Sequence, residues 1–204
     1  DALTAEFRGK RLTNDDTSLI AMLESHNEWL STSGQSGIQM DLSDYDLSNM
    51  DTLKNYKLTA VKAIGANFMK LDLSAMSMQS STLDGSDLRD CILNGADLRG
   101  TSLRNALLTR ADLTGANLAY LEFNKDENNK GKQQAVDLSG ANLKYAILRN
   151  ANLTKTKFNG ADLTHAMLVN CLLSKADFTD AKLDETDFTG SVFRDTIIDD
   201  KYKS

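Results

Sequence analysis

The residues best suited to chemistry in this chain of 204 residues are two cysteines and two histidines. Cys91 and Cys171 lie 80 positions apart, whereas a structural zinc site needs four clustered ligands. His26 and Trp29 could be paired as ligands, but their place in an apolar helical segment favours a structural role. His165 has no cysteine or serine partner in a recognisable motif, and the sequence has neither a phosphate loop nor a nucleophile elbow. The sequence therefore predicts no enzyme, no zinc site and no cofactor.

An acidic string near the beginning of the chain, formed by Asp41, Asp44, Asp46 and Asp51, bears a faint likeness to a calcium-binding loop. Such a loop requires a glycine at its sixth position and a glutamate at its twelfth, and this string has neither. We therefore expect these carboxylates to cap turns, and we predict no metal ion.

Composition restricts the class of protein. The formal net charge is −6 and the isoelectric point is near 4.9, whereas binding nucleic acid through its phosphates requires a surplus of Lys and Arg. No stretch approaches the roughly 18 apolar residues of a membrane span, and no signal peptide is recognisable. We expect a cytoplasmic protein with no membrane span and no direct nucleic-acid binding. The start at Asp1 leaves open whether the chain is a segment of a longer protein.

The dominant pattern is a large apolar residue, here called a centre, at every fifth position. The series runs from Leu58 to Phe123 and resumes from Leu138 to Ile198. A small residue stands two positions before most centres, and the residue between them is most often Asp or Asn. On a helix such centres would spread around the cylinder, and on a strand they would alternate between faces. The period therefore predicts a chain that turns a corner about every five residues and encloses an apolar interior.

A stack of such coils is a solenoid held by backbone hydrogen bonds at the ~4.8 Å strand spacing. This explains why the sequence contains no proline, which lacks an N–H and would remove one of those bonds. It also explains why only 6% of the residues are aromatic, because a narrow interior takes mainly leucine and alanine.

The strings GADLRGTSLRNALLTRADLTGANL and LSGANLKYAILRNANLTKTKFNGADLTHAML resemble the pentapeptide-repeat proteins. The resemblance extends over about 40–198 and implies a right-handed quadrilateral β-helix with four pentapeptides in each coil. Fourteen centres precede the interruption and thirteen follow it, so about seven coils are expected. Cys91 and Cys171 then occupy small inward positions at least three coils apart, too far for a disulfide, and we expect buried, reduced thiols.

The first 37 residues lack the repeat, and we expect 1–37 to form an N-terminal cap with one α-helix from about Asn14 to Ser31. Its apolar face would cover the first coil, whose edge would otherwise recruit another strand. The string SLIAMLESHNEWLSTSG also resembles leaders of bacterial pentapeptide arrays. The β-helix is expected over 38–204, with the register slipping by one residue near 49–51.

The segment 124–135, NKDENNKGKQQA, interrupts the array and lacks every inward position. Its length leaves two alternatives open, a polar loop that projects from a corner or two degenerate pentapeptides, and we favour the loop. Loops on rigid scaffolds often carry function. We therefore predict a partner-binding loop, whose charged residues are Lys125, Asp126, Glu127, Lys130 and Lys132.

The C-terminal coils carry two further signals. Ile147 and Met167 stand at outward positions one coil apart, as do Leu172 and Val192, and with Ile197 they predict an apolar contact patch on two adjoining faces. Few residues follow the last centre, so the last coil should present unpaired backbone groups, which invite association. Together these signals predict an end-to-end homodimer through the C-terminal coils.

Charge is unevenly distributed along the array. Residues 58–176 carry 14 Lys or Arg against 11 Asp or Glu, whereas 177–200 carry eight acidic residues against two basic ones. The acidic end contains Asp180, Asp184, Glu185 and Asp187. The leading hypothesis is a non-enzymatic scaffold or protein-interaction module whose partner the sequence does not name. The family resemblance implies an alternative, a DNA-mimicking inhibitor or protector of a type II topoisomerase such as DNA gyrase.

Overall fold

The computed structural model of the protein describes residues 10–11, 17–50, 53–54, 56–123 and 131–203. Regular elements are few. Strand β1 (Lys10–Arg11) is followed by helix α1 (Thr17–Ser31) and strand β2 (Tyr45–Asp46), which pairs with β1 in parallel. Strands β3 (Leu121–Phe123) and β4 (Lys132–Gln134) pair with each other in antiparallel orientation, and a 3-10 helix spans Asp200–Tyr202. Within the described ranges, every helix is too short or too polar to cross a bilayer.

Most of the chain is a solenoid built from single parallel bridges between residues one coil apart. Lys62 is bridged to Thr82, Asn67 to Asp87, Asp72 to Ile92 and Ser77 to Asp97, so that four bridges recur in each coil. Near the beginning, Asp41 is bridged to Lys62 and Asp46 to Asn67, so the first coil is longer than these by a single residue. The additional residue matches the register slip expected near 49–51, of which position 51 lies outside the described residues.

Each pentapeptide consists of one short extended stretch and one tight turn. In the pentapeptide centred on Leu88, the centre donates from its N–H to the carbonyl of Leu107 in the next coil at 2.7 Å. The turn then closes when the N–H of Cys91 donates back to the carbonyl of Leu88 at 3.2 Å. The second turn residue, Asp90, adopts a left-handed φ of 59°. Equivalent left-handed residues recur along the array, so backbone geometry enforces the period of five.

The Asp and Asn residues before the centres stabilise these turns, as their recurrence predicts. The carboxylate of Asp162 accepts hydrogen bonds from the N–H of Thr164 at 3.1 Å and from its hydroxyl at 2.7 Å. Asp112 makes the same two contacts with Thr114. Side chains that bond to the backbone two residues ahead are typical turn formers.

The interior is filled by the centres and by the small residues two positions before them, nearly all of which are buried. Polar small residues satisfy their hydrogen bonds internally. Thr101 Oγ1 donates to the carbonyl of Met78 at 2.8 Å, and Ser81 Oγ donates to that of Leu58 at 2.6 Å. In each case the acceptor is a centre of the preceding coil, so the hydroxyl ties one coil to its predecessor.

The interruption is a hairpin that leaves the solenoid and returns to the same corner. Ser102 is bridged to Asp137 and Leu107 to Asn142, whereas the regular spacing would place their partners at positions 122 and 127. The inserted chain is therefore as long as three pentapeptides. The hairpin begins earlier than the expected boundary of 124, because Leu121–Phe123 already forms β3. The series predicts that Phe123 is a buried centre. This prediction is wrong, because Phe123 is a half-exposed residue of strand β3.

Helix α1 is joined to the solenoid by a buried histidine. Leu19 and Leu23 of α1 are buried within the continuous apolar core. His26 is buried too, and its Nδ1 accepts from the N–H of Met40 at 3.1 Å. The ring proton therefore resides on Nε2, which donates to the carbonyl of Thr59 at 2.9 Å. The expected start of the helix at Asn14 lies outside the described residues.

Deleting 121–135 should leave the solenoid intact, because it restores the regular spacing between Ser102 and Asp137. We expect the free energy of unfolding in urea to change by no more than about 1 kcal/mol, since loop length has a weak effect on stability. A deletion of 119–135 is the matched control, because it leaves the coil two residues short. It should lower the free energy of unfolding by about 3 kcal/mol or more. Equal destabilisation by both deletions would contradict the hairpin assignment.

His26 should make the stability depend on pH in the weakly acidic range. Burial lowers its pKa below the ordinary value, although the hydrogen bond to Thr59 acts in the opposite direction. The unfolded chain therefore binds the proton more readily, so this stability is complete above about pH 6.5 and declines as the pH falls below it. In urea unfolding at a series of pH values, His26→Leu should remove this dependence and cost about 2 kcal/mol at neutral pH. The same substitution at half-exposed His165 is the control, and an unchanged pH dependence in His26→Leu would contradict the assignment.

Candidate interaction site

The outward side chains form four columns, because each bridge residue lies above its counterpart one coil earlier. We name each face of the C-terminal half after one of its residues. They are the Lys157 face (Asp137, Lys157, Asp177, Ile197), the Asp162 face (Asn142, Asp162, Lys182), the Met167 face (Ile147, Met167, Asp187) and the Leu172 face (Asn152, Leu172, Val192). The chain passes these faces in that order, so the Leu172 face adjoins the Lys157 face of the next coil.

The hairpin projects from the corner between the Leu172 face and the Lys157 face. On one side, Gln134 Nε2 donates to the carbonyl of Gly100. Gly100 has a left-handed φ of 69°, and a Cβ there would come within 3.0 Å of Leu121 Cβ. On the other side, Lys155 Nζ donates to Gln133 Oε1 and lies 4.1 Å from the centre of the Tyr120 ring. The base of the hairpin thus contacts the coil before its own, through Gly100, and the coil after its own, through Lys155.

Of the predicted partner loop, only Lys132 is described, and it is exposed on β4. Lys125, Asp126, Glu127 and Lys130 lie outside the described residues. Their role in binding stays a prediction.

The predicted apolar patch is exposed at four of its five positions. Met167, Leu172, Val192 and Ile197 are 39%, 47%, 50% and 58% exposed, whereas Ile147 is half-buried. The residues occupy three adjoining faces rather than the expected two, because a corner separates Val192 from Ile197 and places Ile197 on the Lys157 face. Their role as a contact patch stays a prediction.

The side chains of the acidic end are exposed but differ in their surroundings. Asp180 and Asp184 make no side-chain hydrogen bond or ion pair with the part of the chain that the structure describes. Glu185 Oε2 lies 3.1 Å from His165 Nδ1. Asp187 accepts from the hydroxyl of Thr189 at 2.6 Å, and this bond helps to lower the pKa of Asp187 below its ordinary value.

Most arginines of the mildly basic middle are neutralised by nearby aspartates. Arg89 pairs with Asp87 at 2.5 Å and Arg99 with Asp97 at 2.7 Å. In each pair the aspartate is the bridge residue two positions before the arginine. Arg110 and Asp90 pair between neighbouring coils, with Nε to Oδ1 at 2.7 Å. Arg104 Nε lies 3.2 Å from Asp137, whereas Arg149 Nη2 donates to the sulfur of Met167 at 3.5 Å and helps to lower the pKa of Asp187. The positive charge predicted for the middle is therefore largely compensated at its arginines.

Two groupings escaped the sequence analysis. Tyr145 stacks on His165, with ring centres 4.8 Å apart, and His165 in turn contacts Glu185. Lys155 and Lys175 occupy the same corner in successive coils, close to the hairpin. In both cases the signal was a spacing of 20 residues, the same coil length that pairs Ile147 with Met167, but at corner positions, which the sequence analysis did not compare between coils.

The cysteine side chains are buried and free, as expected. Cys91 Sγ donates to the carbonyl of Phe68 at 2.9 Å, and Cys171 Sγ donates to that of Leu148 at 2.8 Å. Both repeat the contact to the preceding coil that Ser81 and Thr101 make. Burial raises the pKa of Cys91 to about 12 and that of Cys171 to about 11. Within the described ranges, no three His, Cys, Asp or Glu side chains are grouped so that they could hold a metal ion.

Comparison with protein families identifies a repeat family. A family model described as "Pentapeptide repeats" matches eight copies, over residues 57–95, 91–125, 134–166 and 156–195. These segments cover more than half of the chain. A comparison with curated protein sequences gave no match.

Similar solved structures include pentapeptide-repeat proteins from several sources. HetL, involved in heterocyst differentiation regulation in the cyanobacterium Nostoc sp. strain PCC 7120, is 23% identical over 78% of this chain and 77% of its own, with a TM-score of 0.35. QnrB1, a plasmid-mediated fluoroquinolone resistance protein, is 17% identical over 75% of this chain and 72% of its own, with a TM-score of 0.40. A pentapeptide-repeat protein from the thylakoid lumen of Arabidopsis thaliana is 25% identical over 68% and 72%, with a TM-score of 0.20.

The cysteines should be unreactive in the folded protein. Because burial raises both thiol pKa values to about 11 or above, little thiolate forms at about pH 8. We expect Ellman's reagent to detect no thiol within minutes under native conditions and two thiols after unfolding in guanidinium chloride. Rapid labelling of either cysteine in the native state would contradict the burial.

Proposed function

Because the chain belongs to the pentapeptide-repeat family, whose members form right-handed β-helices, we propose that it is a non-enzymatic protein-interaction module. Its stacked coils hold outward side chains in fixed columns, so that a partner would meet a preformed surface. A preformed surface loses little conformational entropy on binding.

The observation that carries the proposal is the apolar patch at the C-terminal half. Met167, Leu172, Val192 and Ile197 stand on adjoining faces, and each is at least 39% exposed. Scattered apolar side chains are ordinary on protein surfaces, whereas large adjoining ones mark binding sites. The hairpin emerges at the corner beside the same faces, which gives a partner a projecting element to contact as well.

The proposal is tested by partner capture with matched variants. Leu172→Ser with Val192→Ser should abolish capture of a partner that the wild-type protein retains from extracts of its source cells. Ile92→Ser is the control. Ile92 is 42% exposed and stands in the same column of bridge residues as Met167, but it belongs to an earlier coil. The captured protein is then purified and its dissociation constant measured, with a loss of at least about tenfold expected in the double variant. Equal binding by all three proteins would refute the role of the patch.

We also propose that the last coils join two copies end to end. The N–H groups of Leu163, Leu168 and Leu173 donate to the next coil at 2.7–3.0 Å. Their counterparts at Leu183, Phe188 and Phe193 have no backbone partner in the described residues. Phe188 and Phe193 are half-buried with ring centres 5.6 Å apart, so both apolar surface and backbone donors would be covered by a second copy.

Sedimentation velocity tests the homodimer directly. We expect a dimer at tens of micromolar that dissociates on dilution, and weaker association in Phe193→Ser, which removes apolar surface from the open edge. His165→Ser, at a corner one coil earlier, is the control. A monomer throughout the concentration series would refute the dimer.

A second candidate function is DNA mimicry, which the acidic end favours. Asp180 and Asp184 are exposed without an ion pair among the described residues, and Glu185 lies beside them in sequence. In an end-to-end dimer two such ends would meet and form one acidic surface. A DNA-binding protein such as gyrase recognises negative charge of this kind.

A gyrase supercoiling assay, with and without a quinolone, distinguishes the two functions. Mimicry predicts inhibition or protection that is lost when Asp180→Asn, Asp184→Asn and Glu185→Gln are combined. Glu24→Gln with Glu28→Gln, on the exposed side of α1, is the charge control. No effect of the wild-type protein at micromolar concentration would refute mimicry and leave the interaction module as the proposed function.

A further inference from the structure

A groove of about 480 Å³ lies between the base of the hairpin and the Lys157 face. Tyr120 and Gln133 line it on the side of the hairpin, and Lys155, Lys157, Lys175 and Ile197 line it on the side of the coils. It therefore adjoins both the predicted partner loop and the predicted apolar patch. These features are far apart in the sequence, and the stacking of the coils brings them together.

The groove contains more positive charge than the protein neutralises, although Lys157 helps to lower the pKa of Asp177 in the same groove. Lys155, Lys157 and Lys175 form no ion pair with any residue that the structure describes, in contrast to the paired arginines of the middle coils. One carboxylate, that of Asp177, also lines the groove. Both its oxygens are already engaged, by Thr179 at 2.6 Å and by Asn159 at 2.8 Å. Three ammonium groups therefore face one carboxylate, and the groove attracts anions.

The order of the lining residues along the solenoid defines what fits. Lys155 and Lys175 occupy the same corner in successive coils, roughly 4.8 Å apart along the axis, and Ile197 belongs to the coil after that. An extended peptide places alternate side chains on one face, roughly 6.6 Å apart. Such a peptide, with two acidic side chains at alternate positions and then an apolar one, therefore spans a length comparable to the distance from Lys155 to Ile197. The long lysine side chains can adjust to the difference between the spacing in the peptide and the spacing of the coils.

We propose that this groove binds an extended, acidic segment of a partner protein, with two carboxylates at alternate positions against Lys155 and Lys175 and an apolar residue against Ile197. The inference deepens the proposed interaction function and rests on it. Charge complementarity selects the acidic segment, and the exposed Ile197 selects its apolar residue. A nucleic acid fits less well, because neutralising its phosphates would need more cations than the three lysines of the groove supply.

The probe is a labelled synthetic peptide with the core Glu-Ser-Glu-Ser-Leu, and binding is measured by fluorescence anisotropy at low salt. We expect Lys155→Gln, Lys157→Gln and Lys175→Gln together to weaken binding at least about tenfold. The control combines Lys57→Gln, Lys70→Gln and Lys182→Gln, which removes the same charge elsewhere and should bind as the wild type does. If the triple variant unfolds, Lys175→Gln alone tests the groove, because the Lys175 side chain makes no hydrogen bond or ion pair within the described ranges. This single substitution should weaken peptide binding two- to threefold, by roughly 0.5 kcal/mol.

Two comparison peptides test the recognition pattern. Replacing the leucine of the probe by serine should weaken binding to the wild-type protein, and Ile197→Ser should remove that difference. Replacing both glutamates by lysines should abolish binding. Equal affinity of the groove variant and the wild type, or equal affinity of all three peptides, would overturn the proposal.

Two competitors test the other occupants. Stronger competition by a single-stranded oligonucleotide of equal charge would overturn the proposal in favour of nucleic acid. If a higher concentration of the protein releases the labelled peptide and dimers form in sedimentation, the proposal is overturned in favour of the acidic end of a second copy. If the peptide fails but partner capture through Leu172 and Val192 succeeds, the groove alone is refuted and the interaction module stands.

Discussion

Every coil of this protein depends on the backbone hydrogen bonds that it exchanges with the coils before and after it. Those bonds form only if equivalent residues recur after a fixed number of positions, as the bridges do through most of the chain. The left-handed residue at each corner makes that recurrence geometrically possible. Asp90 and its equivalents accept a backbone conformation that is unfavourable for most residues, and the hydrogen bonds between coils offset its cost.

The same constraint accounts for the chemistry of the interior and of the surface. Inside, a small residue must stand beside each centre, and Cys91, Ser81 and Thr101 all use their donors to bond the coil before them. Outside, side chains at one position form a column, so charges one coil apart either pair, as Asp90 and Arg110 do, or accumulate, as at Lys155 and Lys175. The accumulation beside the hairpin is therefore a local departure from the general pairing.

Much of the fold could be predicted from the sequence, because a period of five permits few chain paths. Leu98 and its equivalents were recognisable as buried centres, and Asp112 and Asp162 as turn formers. Phe123 was misassigned because it is apolar and stands five residues after Leu118, so the series apparently continued into what is a hairpin strand. The groove could not be predicted at all. Tyr120 and Lys155 stand on opposite sides of the insertion in the sequence, and only the return of the hairpin to its own corner brings them into contact.

The hairpin enters and leaves the solenoid at one corner, between Tyr120 and Val136, and the coils on either side keep their register. Nothing in the core therefore constrains how long the inserted segment is or what its tip contains. The tip can therefore change in length and composition without any compensating change in the apolar interior. A corner of this kind is a point at which new binding specificity can be acquired by substitution, lengthening or exchange of a single surface segment.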